Sequence, residues 1–300
     1  MTARDVTADA LRPLVFSIAL RMVGSAGEAE DLVQEAYLRL HREGDVRAPK
    51  AFLTTVVTRL AIDHLRSARV RRETYTGDWL PEPLVSAPGT DEQVEHDETV
   101  SIAFLVLLER LEPVERAVYV LHELLGFSHD EIAPVVGKSV ANCRQILRRA
   151  KQHVDAGRPR FEPSRERREA LLARFLAAVR GGDVEGLVGL LAADAVHVAD
   201  GGGKVRATIV PIVGGDKVAR LWAAFGRRPE AAEVDLVPVD VNGQPGVAAV
   251  GPDGDLVTVI TVDVADDRVQ RVWAVLNPDK LAVAAAAVGA EPGGPAPGAG

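Results

Sequence analysis

Nine residues between Lys138 and Lys151 have side chains suited to a nucleic-acid duplex: Lys138, Ser139, Ala141, Asn142, Arg144, Gln145, Arg148, Arg149 and Lys151. Arginine grips guanine, and asparagine or glutamine grips adenine, by paired hydrogen bonds worth about 1–3 kcal/mol of discrimination each. Lysines and the remaining arginines suit phosphates. These groups can act together only from one exposed helix face. Cys143, Ile146, Leu147 and Ala150 recur at helical spacing and supply the opposite, buried face. Ser139 is placed to cap that helix. Before it, Asp130 to Val136 forms a short helix that Ser128 can cap and Gly137 ends. Earlier still, Pro113 sits in a first turn, and Val114, Ala117, Val118, Leu121 and Leu125 form an apolar stripe closed by Gly126. A short helix, a glycine turn and an Arg-rich helix outline a helix-turn-helix, whose second helix enters the major groove. The alternative is a solvated amphipathic helix in an ordinary bundle.

A second basic set lies in the pattern 48–72: Arg59, Arg66, Arg69, Arg71 and Arg72 against Asp63. Helix-dipole compensation accounts for two or three of these, and phosphate contact is the better account of five. An acidic set, Glu28, Glu30, Asp31, Gln34 and Glu35, is followed by Arg39, His41 and Arg42, an order that suits a helix dipole. Spacing alone makes that face a solvated one. For acid–base chemistry the candidates are His197 with Asp194, Asp200 or Asp263. His197 falls in an alternating strand pattern, and a lone inward histidine is more often a core residue than a base.

The composition limits what these groups can be. With 300 residues, two or three domains are expected. The chain is 47% hydrophobic and 26% charged, ordinary for packed globular domains. Its one cysteine, Cys143, excludes an internal disulfide and a Cys-based zinc site, and reads as a small core residue. No cofactor or metal is expected. No stretch approaches ~18 uninterrupted apolar residues, and the first residues lack a secretory pattern, so a cytoplasmic protein without a membrane span is expected. The net charge of −8 is uneven: residues 181–300 hold 16 acidic and 9 basic residues. Nucleic acid should therefore meet the earlier part of the chain.

The elements that must position these groups follow in order. Residues 9–43 read as two helices: Leu11, Leu14, Val15, Ile18, Ala19 and Met22 line the first, and Ala29, Leu32, Val33, Ala36, Tyr37 and Leu40 the second. Residues 48–72 make a longer helix. Residues 73–92 lose periodicity around Trp79-Leu80-Pro81-Glu82-Pro83 and read as a linker, with two large apolar groups that should dock on something. A helix from about Gln93 to Leu111 opens the next domain. Residues 155–168 form a second linker. A helix from Arg168 to Val179 and a short one after Asp183 lead into strand patterns at AVHVAD, KVRATI, EVDLVPVDV, GVAAVG, DLVTVITVDVADD and RVQRVWAVL, broken by one helix from Asp216 to Phe225. That is an α+β domain with a mostly antiparallel sheet. The Gly/Pro/Ala-rich end is expected to be disordered.

With these pieces in place, the chain resembles bacterial RNA polymerase sigma factors of the extracytoplasmic-function group. EAEDLVQEAYLRLHR resembles the region 2 helix that grips the polymerase clamp, AFLTTVVTRLAIDHLRSARVRR the helix that reads and melts the −10 element, and the helix-turn-helix resembles region 4, which reads the −35 element. A narrower resemblance is to members carrying a C-terminal domain similar to the SnoaL polyketide cyclases, marked by WLPEP, DGGGK (Asp200, Gly201, Gly202, Gly203, Lys204) and NPDKL (Asn277, Pro278, Asp279, Lys280, Leu281). The resemblance implies a multidomain chain: two all-α sigma domains, a region 2 bundle at 1–72 and a region 4 helix-turn-helix at 93–155, and an α+β SnoaL-like cone at 168–284. The linkers are then 73–92 and 156–167, and the tail 285–300. It further implies polymerase contact through Asp31, Gln34, Glu35 and Arg39, −10 contact through Asp63, His64, Arg66, Arg69, Arg71 and Arg72, and −35 contact through the Lys138–Lys151 set.

The implied partners are the clamp and flap regions of core RNA polymerase, and promoter DNA. No separate anti-sigma factor is required, and an unidentified small ligand in the cone is left open. The DGGGK loop lacks the residues of a phosphate loop. Its glycines are expected to let the backbone turn against a neighbour, with Asp200 and Lys204 as contact groups. The expectation is that the cone is not an enzyme but regulates by touching the WLPEP segment. A cut just after Leu281 should then be harmless, and one before Asn277 should not. Two rival readings are a ligand-sensing helix-turn-helix regulator, and a cyclase- or isomerase-like enzyme with a DNA-binding passenger.

Overall fold

Capping chemistry sets most of the helix limits. Helix α1 (Arg12–Val23) ends at Gly24, whose left-handed φ of 73° turns its N–H back to Leu20 O. Ser25 accepts the Glu28 N–H at 3.2 Å and starts α2 (Ala26–Glu43), and α3 runs Pro49–Arg72. The computed structural model describes residues 10–72, 75–88, 101–155 and 163–292, with the side chains of 69–72 excepted. These fall into two units, Met1–Thr74 with Phe104–Arg158, and Tyr75–Ala103 with Pro159–Gly300.

In the first unit Val15, Ile18, Ala19 and Met22 of α1 are buried with Ala29, Val33 and Ala36 of α2 and with Leu53, Val57 and Ala61 of α3. This is the three-helix packing that the apolar spacing implies. After α4 (Ile102–Glu109), a Glu112/Glu115 capping box opens α5 (Pro113–Tyr119), which widens into a π-helical turn at Val120–Leu124. Helix α6 (His129–Val136) starts on a Ser128/Glu131 capping box and ends at Gly137, φ 66°. Helix α7 follows at Val140–Asp155, with Ser139 Oγ accepting the Asn142 N–H at 3.2 Å.

The two helical bundles of this unit are joined by arginines. Arg59 of α3 donates to the Pro134 and Val135 carbonyls at 2.8 and 2.9 Å. Those oxygens lie in the last turn of α6, where no intrahelical donor follows. Arg116, 1% exposed, donates to Arg21 O at 3.0 Å and pairs with Glu109. Burial pulls its pKa down to about 9. Lys50 lies over the Phe127 ring, 5.3 Å from its centre.

The second unit is α+β. Helices α8 (Arg165–Arg180), α9 (Val184–Leu190) and α10 (Gly215–Gly226) pack on a sheet of β1 (Val85–Ser86), β2 (Leu191–Asp200), β3 (Ile212–Val213), β4 (Asp235–Val241), β5 (Gln244–Val250), β6 (Asp255–Ala265) and β7 (Arg268–Val275). The strand order is β1-β4-β5-β6-β7-β2-β3, antiparallel except for the β2–β7 pair. Leu171, Phe175 and Leu187 of α8 and α9 and Val218 and Trp222 of α10 form the core with Ala195, Val262 and Val272 of the sheet. Close packing of α8 on α10 requires Gly226, since a Cβ there would stand 1.7 Å from Val179 O.

Several expectations need correction. Residues 75–88, expected to be a separate linker segment that docks through Trp79 and Leu80, are part of the second unit, with β1 on the edge of its sheet. Helix α8 begins at Arg165, inside the expected 156–167 linker, and within the described part of the helix read from Gln93 to Leu111, α4 spans Ile102–Glu109. Residues 93–100 lie outside the described residues. The KVRATI stretch is not a strand, and pairing is limited to Ile212–Val213. The expected tail begins too early. Helix α11 (Pro278–Val288) runs into it, and β8 (Glu291–Pro292) pairs with β6, while 293–300 lie outside the described residues. A cut after Leu281 therefore splits α11 and removes the buried Ala284 and Ala285.

Candidate nucleic-acid, polymerase and linker-docking sites

The expected groove-facing set is brought together on α7. Cys143, Ile146, Leu147 and Ala150 are buried, while Ala141, Asn142, Arg144, Gln145 and Arg148 are exposed, with Lys138 and Ser139 in the turn before. Lys151 and Arg149 are already engaged with carboxylates: Lys151 pairs with Glu123 at 2.8 Å and Arg149 approaches Glu115 at 3.6 Å. Burial raises the Cys143 thiol pKa, which keeps it an inert core group. Near this helix the His122 and His129 rings lie 4.2 Å apart.

On α3, Asp63 and Arg66 are exposed and pair at 3.2 Å, and His64 Nε2 lies 3.1 Å from the Glu28 carboxylate of α2. Arg69, Arg71 and Arg72 continue the helix, and their side chains lie outside the described residues. Arg59, counted above with the phosphate-binding arginines, is instead engaged with α6.

On α2, Asp31 and Gln34 are exposed, Glu35 pairs with Arg39 at 2.8 Å, and Glu30 pairs with Arg12. Leu38 is 48% exposed on the same face, four residues after Gln34 and seven after Asp31. Sequence reading left Leu38 out of the acidic face, although a helical projection sets it apart from the buried stripe.

The three motifs of the second unit converge on Asp200, which is fully buried at the end of β2. Its carboxylate accepts from Tyr75 Oη at 2.5 Å, Leu80 N at 2.8 Å, Gly202 N at 3.0 Å and Lys280 Nζ at 2.6 Å. Lys280 also donates to Leu80 O at 2.6 Å and lies 4.1 Å from the Trp79 ring centre. Asn277 caps α11 through the Asp279 N–H and donates to Tyr75 Oη at 2.9 Å. Leu80, Pro81, Glu82 and Pro83 are buried, and Leu281 is buried in the first turns of α11. Burial and the Asp200 carboxylate push the Tyr75 phenol above its usual range, and the same two causes raise Asp78.

The glycines permit this approach. Gly202 and Gly203 have φ of 62° and 70°, and a Cβ on Gly202 would stand 2.4 Å from the Asn277 side chain. A Cβ on Gly201 would stand 2.7 Å from Val205 O. Lys204 is not the partner of Asp200: it pairs with Asp279 at 2.6 Å on the exposed side, and Lys280 takes the buried role. Tyr75 is a further member of the cluster that motif reading left out.

The acid–base pair considered for the cone is not assembled. His197 is 2% exposed and meets the Trp222 ring edge-on at 5.4 Å. Burial lowers its pKa to about 4, against a smaller opposing effect of the Val272 backbone. Its Nδ1 has no hydrogen-bond partner among the described residues. Asp194 is exposed, Asp200 is committed to the linker cluster, and Asp263 stands 3.8 Å from Arg271. Burial raises the Asp263 pKa, with Arg271 and Trp273 opposing.

An Arg-rich helix-turn-helix behind a basic helix and an acidic helix defines a sigma-type transcription factor. Sequence comparison agrees: the Sigma-70 region 2 family matches residues 7–71 and the Sigma-70 region 4 family matches residues 101–154. The chain is 38% identical over 289 residues to the ECF RNA polymerase sigma factor SigJ of Mycobacterium tuberculosis, covering 91% of each. It is 32% identical over 281 residues to the probable ECF sigma factor SigI of that organism, covering 90% of this chain and 92% of the other. The crystal structure of M. tuberculosis SigJ superposes with a TM-score of 0.73 at 33% identity, over 91% of this chain and 96% of that one. The chain belongs to the extracytoplasmic-function RNA polymerase sigma factors. Among the described residues no helix is long and apolar enough to cross a membrane.

Proposed function

We propose that this sigma factor is regulated by its own α+β domain, which captures the segment joining the two sigma regions. The convergence of Tyr75, Leu80, Lys280 and Asn277 on or beside the buried Asp200 is the observation that carries the reading. A carboxylate without water is tolerated only when its oxygens are fully hydrogen-bonded and its charge is paired. The cluster therefore holds the segment as a unit or releases it as a unit. Core polymerase docks on the α2 face of Asp31, Gln34 and Glu35 with Leu38 as an apolar anchor, and the charges steer that encounter more than they hold it. Region 2 contacts the −10 element through Asp63, His64, Arg66, Arg69, Arg71 and Arg72. Region 4 contacts the −35 element through the exposed residues of α7. No catalysis is assigned to the cone, because His197 is a buried neutral imidazole without a carboxylate partner among the described residues. The reading needs no separate anti-sigma factor.

The test is promoter-specific initiation by core polymerase with the unaltered chain, Asp200→Asn or Lys280→Met. The two variants are expected to bind core polymerase as the unaltered chain does and to change initiation several-fold. Equal initiation from all three overturns regulation through this cluster.

A further inference from the structure

One rim of the α+β unit leaves its apolar side chains in water. Eight large hydrophobic residues are exposed among the described residues, and four of them stand here: Val188 at 37%, Ile209 at 65%, Val210 at 68% and Val213 at 55%. Ile209 and Val210 end the loop that leads into β3, Val213 is in β3, and Val188 is in α9. Half of the total on one rim is a patch rather than scatter, and an exposed apolar patch marks an interaction site. Val188 and Val213 also line a groove of about 730 Å³, with Leu191, Ala192, Asp216 and Arg268 in its walls. Arg268 is occupied there with the Gly189 and Leu191 carbonyls, at 3.2 and 3.0 Å. Strand β3 is the last of the sheet and pairs only with β2, so its outer edge is open among the described residues.

The order of residues along this rim is self-complementary about Pro211. Ile209 and Val210 precede it, and Ile212 and Val213 follow it. Arg206 stands as far before Pro211 as Asp216 stands after it. Both are exposed, and neither has an ion pair or a side-chain hydrogen bond among the described residues. A two-fold axis brings residue i of one chain to residue j of the other, and j to i. Antiparallel apposition about Pro211 therefore sets Ile209 and Val210 of each chain against Val213 and Ile212 of the other. It also joins Arg206 to Asp216 twice over, which gives each charge the partner it lacks within its own chain. Pro211 has no N–H to offer, so side chains rather than a continued backbone ladder carry the pairing. A foreign partner asks for no such symmetry, and a second copy of this chain does.

We infer that two copies of this chain associate through the Ile209–Val213 rim, two-fold about Pro211, with Arg206 of each paired to Asp216 of the other. The apolar side chains supply the attraction, and the two charge pairs fix the register. The inference does not depend on the capture of residues 75–88, nor on the assignment of any residue to DNA.

The experiment is sedimentation velocity of the full chain over a concentration series, with Arg206→Asp, Asp216→Arg and Val210→Asp beside it. The mass of the unaltered chain should rise with concentration towards twice that of a single chain. Arg206→Asp sets two carboxylates at each contact and Asp216→Arg two guanidinium groups. Each of these variants alone should therefore stay a monomer where the unaltered chain pairs. Mixed in equal amounts they should pair again, because each contact then joins an acid to a base. Val210→Asp should abolish pairing by itself, and thermal melting shows that each variant is folded. An unaltered chain that stays a monomer up to its solubility limit overturns the inference. So does pairing that survives Val210→Asp, or a mixture of the two folded charge variants that stays monomeric. Loss of core polymerase binding in Val210→Asp with no self-association of the unaltered chain assigns the rim to the polymerase and overturns it too.

Discussion

A single carboxylate decides where the chain between the sigma regions goes. Asp200 is fully buried, and its four donors come from three separate stretches of sequence. Removing one partner of a buried ion pair costs about 3–5 kcal/mol, because the other charge is left uncompensated. Sequence shows the three motifs as strings, but not that Lys280 rather than Lys204 is the partner, since that depends on α11 folding back on the end of β2. His197 is the second informative residue. Its pKa is lowered to about 4 by burial, from an ordinary value near 6.5. Between these values the unfolded chain binds the proton and the folded one does not, so stability rises with pH and is lost as pH falls from about 6.5 to about 4. The loss amounts to about 3 kcal/mol. Thermal melting of the full chain over that range should show it, and His197→Phe should flatten this part of the slope. A slope that the substitution leaves unchanged would mean that another group titrates there.

At the scale of elements, local chemistry that sequence can display placed the helices well. Ser25, Ser128, Ser139 and Asp183 each accept a backbone N–H at a helix start, and Gly24 and Gly137 each end a helix with positive φ. What was not legible depends on partners far along the chain. Strand β1 is two residues of a Pro-rich stretch that pair only because β4 offers an edge, and α11 has an alanine-rich sequence easily taken for a tail. KVRATI alternates like a strand, yet it follows the glycine turn that carries the chain past Asn277. On α7 the exposed and buried faces divide as the spacing implies, so Arg144 and Lys138 should behave differently. Arg144→Ala is expected to weaken binding of the holoenzyme to its promoter by about ten- to a hundredfold and to relax preference at one base position. Lys138→Ala should weaken all sequences alike and lower the salt slope by about one. Binding to base-substituted promoter duplexes at several salt concentrations separates the two, and identical behaviour would remove the division into base-reading and phosphate-binding residues.

For the whole molecule, the charge distribution and the domain order were legible, and the grouping of segments was not. The chain reads as three domains in a row with linkers between them. Instead residues 75–88 belong to the α+β unit, while the two helical bundles share one unit through Arg59 and Arg116. Composition marks residues 73–92 as a break in periodicity, and a break looks the same whether the segment is free or held by hydrogen bonds to a distant strand. Capture of that segment is therefore the central claim, and the Leu80 amide reports on it directly, because its N–H is donated to a buried carboxylate. In native-state hydrogen exchange of the full chain, the Leu80 amide should be protected and should exchange with the free energy of the α+β unit, and Asp200→Asn should release it. Exchange of Leu80 at the rate of an unprotected peptide in the unaltered chain would contradict the account.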